Sequence, residues 1–200
     1  MDKALFIAMS GAKQNMLAQR AHANNLANVN TTGFKEDFTQ ARSMPVFGEG
    51  LPTRAYSMTE NPGTNFESGP LIQTGNSLDI AVKGEGWIAI QAEDGTEAYT
   101  RAGDLKVDVN GQLRTGRGSP VLGNGGPIVL PPAATVEIGA DGTISVLPFG
   151  ASAVGLAQID RIRFVNPPAG DIEKGVDGLM HMKQGAVAPD LDASIQVESG

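Results

Sequence analysis

The sequence predicts a mainly β protein: a long N-terminal α-helix, then an extended linker, then an antiparallel β domain. Three observations predict it. Residues 2–28 contain no proline and are rich in Ala, Leu, Met, Gln and Lys, which are good helix formers. From Leu78 onward apolar and polar residues alternate with the period of a strand, in runs such as LDIAVKG, GWIAIQA and TISVLP. Between such runs stand Asp94-Gly95, Asn110-Gly111, Asp141-Gly142 and Asp177-Gly178, dipeptides that supply the left-handed residues of tight hairpins. The chain therefore divides into 1–34, a helix and the turn that ends it, 35–77, the linker, and 78–200, the β domain.

In the helix, apolar residues recur at a 3-and-4 spacing through Leu5, Met9, Ala12, Met16, Ala23 and Leu26, interrupted at Gln19. That is close to a coiled-coil seam. At ~1.5 Å per residue the helix reaches roughly 40 Å, longer than one side of a small domain, so the seam is expected to meet other chains. Asn24, Asn25, Asn28 and Asn30 compete for backbone hydrogen bonds and Gly33 permits a positive φ, which marks a helix stop and a turn.

The linker mixes Phe38, Met44, Val46, Phe47, Tyr56 and Phe66 with Pro45, Pro52, Pro62 and Pro70 and keeps no clean period. Short strands in an otherwise extended segment are expected. The β domain adds the runs EAYTRAG, DLKVDV, QLRTG, PIVLP, TVEIG and RIRFVN, all without intervening helical pattern.

Composition narrows the function. Apolar residues are 40% of the 200 and charged residues 18%, a globular balance. A formal charge of -7 lacks the basic footprint of nucleic-acid binding, so no nucleic acid is expected as partner. With no cysteine, disulfides, thiolate metal sites and cysteine nucleophiles are excluded. The opening apolar run, Ala4 to Ala8, is too short for a signal-peptide core and no later stretch reaches membrane-spanning length, so neither a cleaved leader nor membrane insertion is expected.

No catalytic constellation emerges. His22 and His181, the two histidines, have no neighbour at ligand or nucleophile spacing. Lys83-Gly84-Glu85-Gly86-Trp87 superficially looks like a phosphate loop, but the helix that would aim amides at an anion is missing, and a tight turn with Trp87 anchoring the core is the better reading. The carboxylates Asp104, Asp108, Asp141, Asp171, Asp177, Asp190 and Asp192 do not form a calcium-loop pattern. Arg101 has Asp104 as a candidate ion-pair partner. Catalytic, cofactor and metal residues, and a small-molecule substrate, are thus not expected. A carbohydrate-binding β module or an enzyme domain would need a cleft of clustered acids, histidines or aromatics, and one Trp with two Tyr argue against it. An adhesin or surface-layer protein would need a leader.

Two stretches resemble a known family. Asn24-Asn25-Leu26-Ala27-Asn28 followed by Thr31-Thr32-Gly33-Phe34 looks like the N-terminal signature of flagellar rod and hook axial proteins. Leu78 to Leu113, with Gly84, Gly86, Trp87, Tyr99, Arg101 and Gly111, is similar to their shared β domain, and the likeness continues through Pro120–Gly123 and Ile138–Ile144. MDKALFIAMSGAKQ, the short connector and Gly86-Trp87 look most like the proximal rod protein, with the distal rod protein, or a hook-type subunit, as rival. The resemblance implies a non-enzymatic structural subunit of the basal-body rod, without cofactor. It implies export by the flagellar type III apparatus without a cleaved signal peptide and helical assembly, with copies of itself and other rod subunits, into the drive shaft across the periplasm. The resemblance also implies a second amphipathic helix that pairs with the first, in a segment that members of the family carry beyond the position of Gly200 and that this sequence is expected to lack.

Overall fold

The computed structural model describes residues 4–47, 54–60, 63–149 and 156–200, and the chain forms two compact units, Met1–Glu67 and Ser68–Gly200. The predicted helix positions Asp2 and Lys3, and Pro52 and Pro62 of the linker, lie outside the described residues.

In the first unit, helix α1 spans Ala4–Ala27. Ile7 is its one β-branched residue, so almost no side chain there loses rotamer freedom to the helix. Its first turn carries no acidic residue and its last no basic one, so the helix dipole is left uncompensated. A helix of this length is marginal alone and depends on packing. Packing comes from an antiparallel hairpin, β1 (Gln40–Pro45) and β2 (Ala55–Glu60), in which Met44 faces Tyr56 and Arg42 faces Met58. An ion pair of 2.8 Å joins Arg42 to Glu60.

Where the sequence alone points to an extended linker up to residue 77, the two strands pair and β2 lies on α1. The compact boundary falls between Glu67 and Ser68. Backbone ties account for this: Lys35, 9% exposed, donates from Nζ to the carbonyls of Phe66 (3.2 Å) and Glu67 (2.6 Å), and Asp37 bridges Thr64. These strands are held by the helix rather than by an alternating apolar face, so periodicity does not reveal them.

The second unit is antiparallel throughout its paired strands. It begins with β3 (Ile80–Lys83), β4 (Trp87–Gln91) and β5 (Glu97–Thr100), followed by two small ribbons, β6 (Leu105–Val107) with β7 (Leu113–Thr115) and β8 (Leu122–Gly123) with β9 (Gly126–Pro127). Next come β10 (Ala133–Ile138), β11 (Thr143–Pro148) and β12 (Ala157–Arg161), then β13 (Phe164–Val165), β14 (Ile172–Lys174), β15 (Met180–Met182) and β16 (Gln196–Ser199). One sheet runs in the order β13-β4-β5-β15-β14, another β10-β11-β12, and β16 pairs with β3. Strand β4 is buried along its length up to Gln91, and Ile88, Ile90, Leu113, Val121, Ile144, Ile162 and Phe164 form a core of side chains almost without solvent access.

Five hairpins repeat one turn. The N–H of Gly95, Gly111, Gly118, Gly142 and Gly178 donates to the carbonyl three residues earlier. Each of these glycines has φ between 79° and 97°, and no other residue type among the described ones has positive φ. Only the glycine is therefore left-handed, not the Asp or Asn before it or, at Gly118, Arg117. That is a type I turn with a glycine bulge rather than a mirror-image turn. Two predicted strands are cut short. PIVLP joins a strand ladder only at Pro127; beyond it the Ile128 and Leu130 amides bond the Val121 and Gly111 carbonyls, the Ile128 carbonyl accepts the Leu113 amide, and Val129 bridges Gln112. RIRFVN divides between β12 and β13, where the Ile162 and Arg163 amides bond Gly142 and Leu122 instead.

Candidate assembly interface

Along α1 and into the turn after it, half-buried residues recur at Ile7, Gly11, Gln14, Ala18, Ala21, Asn25 and Asn28, alternately three and four residues apart, with Ser10 half-buried beside them. This is the stripe toward the hairpin, and it is mostly small or polar. Gln14 works as a clamp: its Oε1 accepts the Thr59 amide at 3.0 Å and its carbonyl accepts the Thr59 hydroxyl at 3.1 Å. Asn25 works as another. Its Nδ2 donates to the Asp37 carbonyl at 3.0 Å while its Oδ1 accepts the Asp37 amide at 3.2 Å, as a β-strand neighbour would. Among the described residues, His22 makes a 3.5 Å contact with the Thr39 hydroxyl.

The predicted seam occupies the other side of the helix. At about 100° per residue, Leu5, Met9, Ala12, Met16 and Ala23 cluster roughly half a turn from the Gln14–Asn25 stripe, with Leu26 at their margin. All six are exposed, Leu5 to 68%, Met9 to 59%, Met16 to 65% and Leu26 to 74%. Hairpin and seam thus share the helix, one to a side.

The signature that ends the helix has local reasons. Asn28 caps the last turn, its Nδ2 donating to the Asn24 carbonyl (3.0 Å) and Oδ1 (2.7 Å), and its own Oδ1 accepts the Thr31 hydroxyl at 3.3 Å. The Phe34 amide returns to the Thr31 carbonyl at 3.1 Å, across Gly33 at φ 69°. The chain is thereby turned so that Asp37 meets Asn25. Leu26 and Ala27, also in the signature, stay exposed.

In the second unit the structure brings Gly84, Trp87 and Arg101 together. The Arg101 guanidinium lies 5.5 Å from the centre of the Trp87 ring and donates to the Gly84 carbonyl at 2.7 Å and to the Ser68 hydroxyl at 3.0 Å. Burial pushes that guanidinium below its ordinary pKa, with Glu85 opposing. The candidate Arg101–Asp104 pair is not formed, because Asp104 bridges Asp79 while Arg101 turns toward the β3–β4 connection. That connection is a tight turn, with Gly84 at φ 72° and Gly86 at 125°. Tyr99, 2% exposed, is a core residue whose phenol is held well above its ordinary pKa by burial and by Glu97. At Gly111 an added Cβ would stand 2.4 Å from the Leu130 carbonyl oxygen, so its place in the signature is steric as well as conformational. His181 contacts the Asp177 carboxylate at 2.9 Å within one turn.

Sequence reasoning missed Gln14, Thr59 and Lys35. Gln14 breaks no pattern in a helix, and Lys35 reads as a surface cation although its ammonium closes the hairpin segment. Among the described residues no helix is long and apolar enough to cross a membrane.

Comparison with known proteins matches both signature stretches. Residues 5–35 fit the family model described as Flagella basal body rod protein, and residues 81–146 the one described as Flagellar hook protein FlgE/F/G D1 domain. Flagellar basal-body rod protein FlgF of Escherichia coli (strain K12) is 39% identical over 100% of this chain and 81% of its own length. The FlgF protein of Salmonella typhimurium is 38% identical with the same coverage, and FlgG of Bacillus subtilis (strain 168) is 35% identical over 83% of this chain and 69% of its own. With a helix that leaves an apolar seam open and a β unit of the matching kind, the chain belongs to the flagellar basal-body rod protein family, as a structural subunit of that rod.

Proposed function

We propose that Leu5, Met9, Ala12, Met16, Ala23 and Leu26 form the face on which copies of this chain and other rod subunits dock, and that the chain is a proximal rod subunit. The observation that carries this is the division of α1, whose hairpin covers a polar, small-residue stripe and leaves the apolar one in water. Covering exposed Leu and Met side chains is favourable by about 25 cal/mol per Å², which compensates a helix that is marginal by itself. Head-to-tail contacts of such a seam build an open helical stack rather than a closed dimer.

What supports the proximal reading is the match to the Escherichia coli FlgF protein, 39% identical over 100% of this chain, against 35% over 83% for FlgG of Bacillus subtilis. Export through the flagellar type III apparatus without a cleaved leader, and a place in the rod where it crosses the periplasm, belong to the same reading. So does an absence of catalysis: binding energy replaces chemistry. Charge supports separate duties for the two units. Met1–Glu67 has six Lys/Arg against six Asp/Glu, whereas Ser68–Gly200 has nine against sixteen and carries the whole net charge of -7.

The test is Met9→Asp and, separately, Met16→Asp in motile cells. Rod assembly and swimming should be lost while the purified variant keeps its far-UV spectrum and the thermal transition of the β unit. Normal swimming with either variant would remove the seam from the docking face.

A further inference from the structure

Of the described methionines, Met44, Met58 and Met182 are half-buried and Met180 is 2% exposed, whereas Met9 and Met16 are 59% and 65% exposed. Both exposed thioethers lie on the seam, about two helical turns apart. We propose that Met9 and Met16 form a site of oxidative modification, at which a peroxide converts both to sulfoxides in the free subunit and so keeps oxidised copies out of the rod. This rests on the seam being the docking face.

The chemistry needs only a peroxide. The Sδ lone pair attacks one peroxide oxygen, the O–O bond breaks and an S–O bond forms. The sulfur loses two electrons, and the second oxygen leaves as hydroxide, which takes the proton of the sulfur-bound hydroxyl and becomes water. The product is a polar acceptor in a stripe where Leu5, Ala12, Ala23 and Leu26 have no side-chain donor to offer and Gln19, near Met16 alone, has the one amide. Lys13 and Arg20, one turn beyond Met9 and Met16, would have to leave water to serve it. Docking covers the same sulfurs, so a subunit already in the rod is protected. The device therefore sorts subunits before assembly.

The purified full chain is titrated with hydrogen peroxide and mapped by peptide mass spectrometry. Met9 and Met16 should convert first and Met180 last; conversion of Met180 ahead of them overturns the proposal. In cells given sublethal peroxide, the sulfoxide fraction at Met9 and Met16 is then compared between isolated basal bodies and the free pool. Depletion by about tenfold in basal bodies is expected for burial of a poorly paired polar group, and equal fractions overturn the proposal. A Met9→Leu/Met16→Leu chain, which keeps the seam apolar, should enter basal bodies under peroxide as it does without it. Peroxide sensitivity equal to the wild type also overturns the proposal, and if this variant fails to enter at all, the wild-type comparison decides alone. Should Met9→Asp block incorporation while sulfoxide copies enter freely, docking stands and the redox device falls; if neither blocks it, both fall.

Discussion

Asn25 satisfies both backbone polar groups of Asp37, its Nδ2 donating to the carbonyl at 3.0 Å and its Oδ1 accepting the amide at 3.2 Å. One side chain thereby ties the helix to the strand segment that follows the signature turn. Replacing it with Asp keeps the shape and one acceptor but removes the donor and sets a charge against the Asp37 carbonyl. Asn25→Asp should destabilise the helix–hairpin unit by about 1–3 kcal/mol, the cost of losing the Nδ2 donor and setting a carboxylate against the Asp37 carbonyl. Hydrogen exchange would report it as faster exchange at the Asp37 and Thr59 amides, with the β unit unchanged. Unaltered exchange at Asp37 would show that the clamp is not what holds the turn.

The repeated hairpin turn separates conformational strain from collision. Gly95 (φ 85°) and Gly111 (φ 80°) have the same backbone, but an added Cβ at Gly95 meets nothing within 4 Å, while at Gly111 it meets the Leu130 carbonyl oxygen at 2.4 Å. Gly95→Ala should therefore cost only the left-handed penalty, about 1–2 kcal/mol. Gly111→Ala must also break or displace the Leu130 N–H to Gly111 carbonyl bond of 2.7 Å, so its denaturation midpoint should fall distinctly further. Equal midpoints would mean that the two turns relax alike.

How much of this was legible depended on what kind of force fixes each part. The hairpin turns were readable because Asp-Gly and Asn-Gly declare themselves locally, as at Asp94-Gly95 and Asn110-Gly111. Alternation exposed β11, where Ile144 and Val146 point inward. The seam from Leu5 to Leu26 was visible as a period, yet the face opposite it was not, because Gly11, Gln14 and Asn25 interrupt the weak apolar signal of Ala18 and Ala21. The pairing of β1 with β2 stayed hidden too: Gln14 bonds Thr59 of β2, while Asn25 and Lys35 fasten the flanking residues Asp37 and Glu67, all through backbone atoms that a hydropathy pattern does not record. Arg101 was noticed, but its partner was assigned by sequence proximity to Asp104, whereas a carbonyl and an indole hold it.

Acid should weaken the β unit through the same turns. Asp94 is held below the ordinary carboxylate range chiefly by the hydroxyl and then the amide of Thr96, and Asp141 likewise by Thr143. Asp192 is lowered by the hydroxyl and amide of Ser194, and Asp108 first by the Gln112 amide. Because each folded-state pKa is depressed, the stabilisation is complete above the unfolded value of about 3.9 and is lost as pH falls through the folded values. Urea midpoints should be level at neutral pH and drop once pH falls below roughly 4. Asp141→Asn keeps the acceptor for the Thr143 amide and does not titrate, so its acid slope should be shallower than the wild type's. An identical slope would place the acid sensitivity elsewhere.

Gly11 is the one glycine inside α1, and it lies on the hairpin side rather than on the seam. An added Cβ there meets nothing within 4 Å, and the backbone is helical. Gly11→Ala should therefore stabilise the helix by about 0.5–1 kcal/mol, through the smaller entropy loss of alanine on folding. Slower amide exchange along Ala12–Ala18 would record it. Because the substitution leaves Leu5, Met9, Ala12, Met16, Ala23 and Leu26 untouched, the purified variant should also self-associate at least as readily as the parent, a more ordered helix having less to lose on docking. A stabilised helix that associates less well would instead mean that a neighbouring subunit packs against Gly11 itself, at a spot where the free chain leaves room for one.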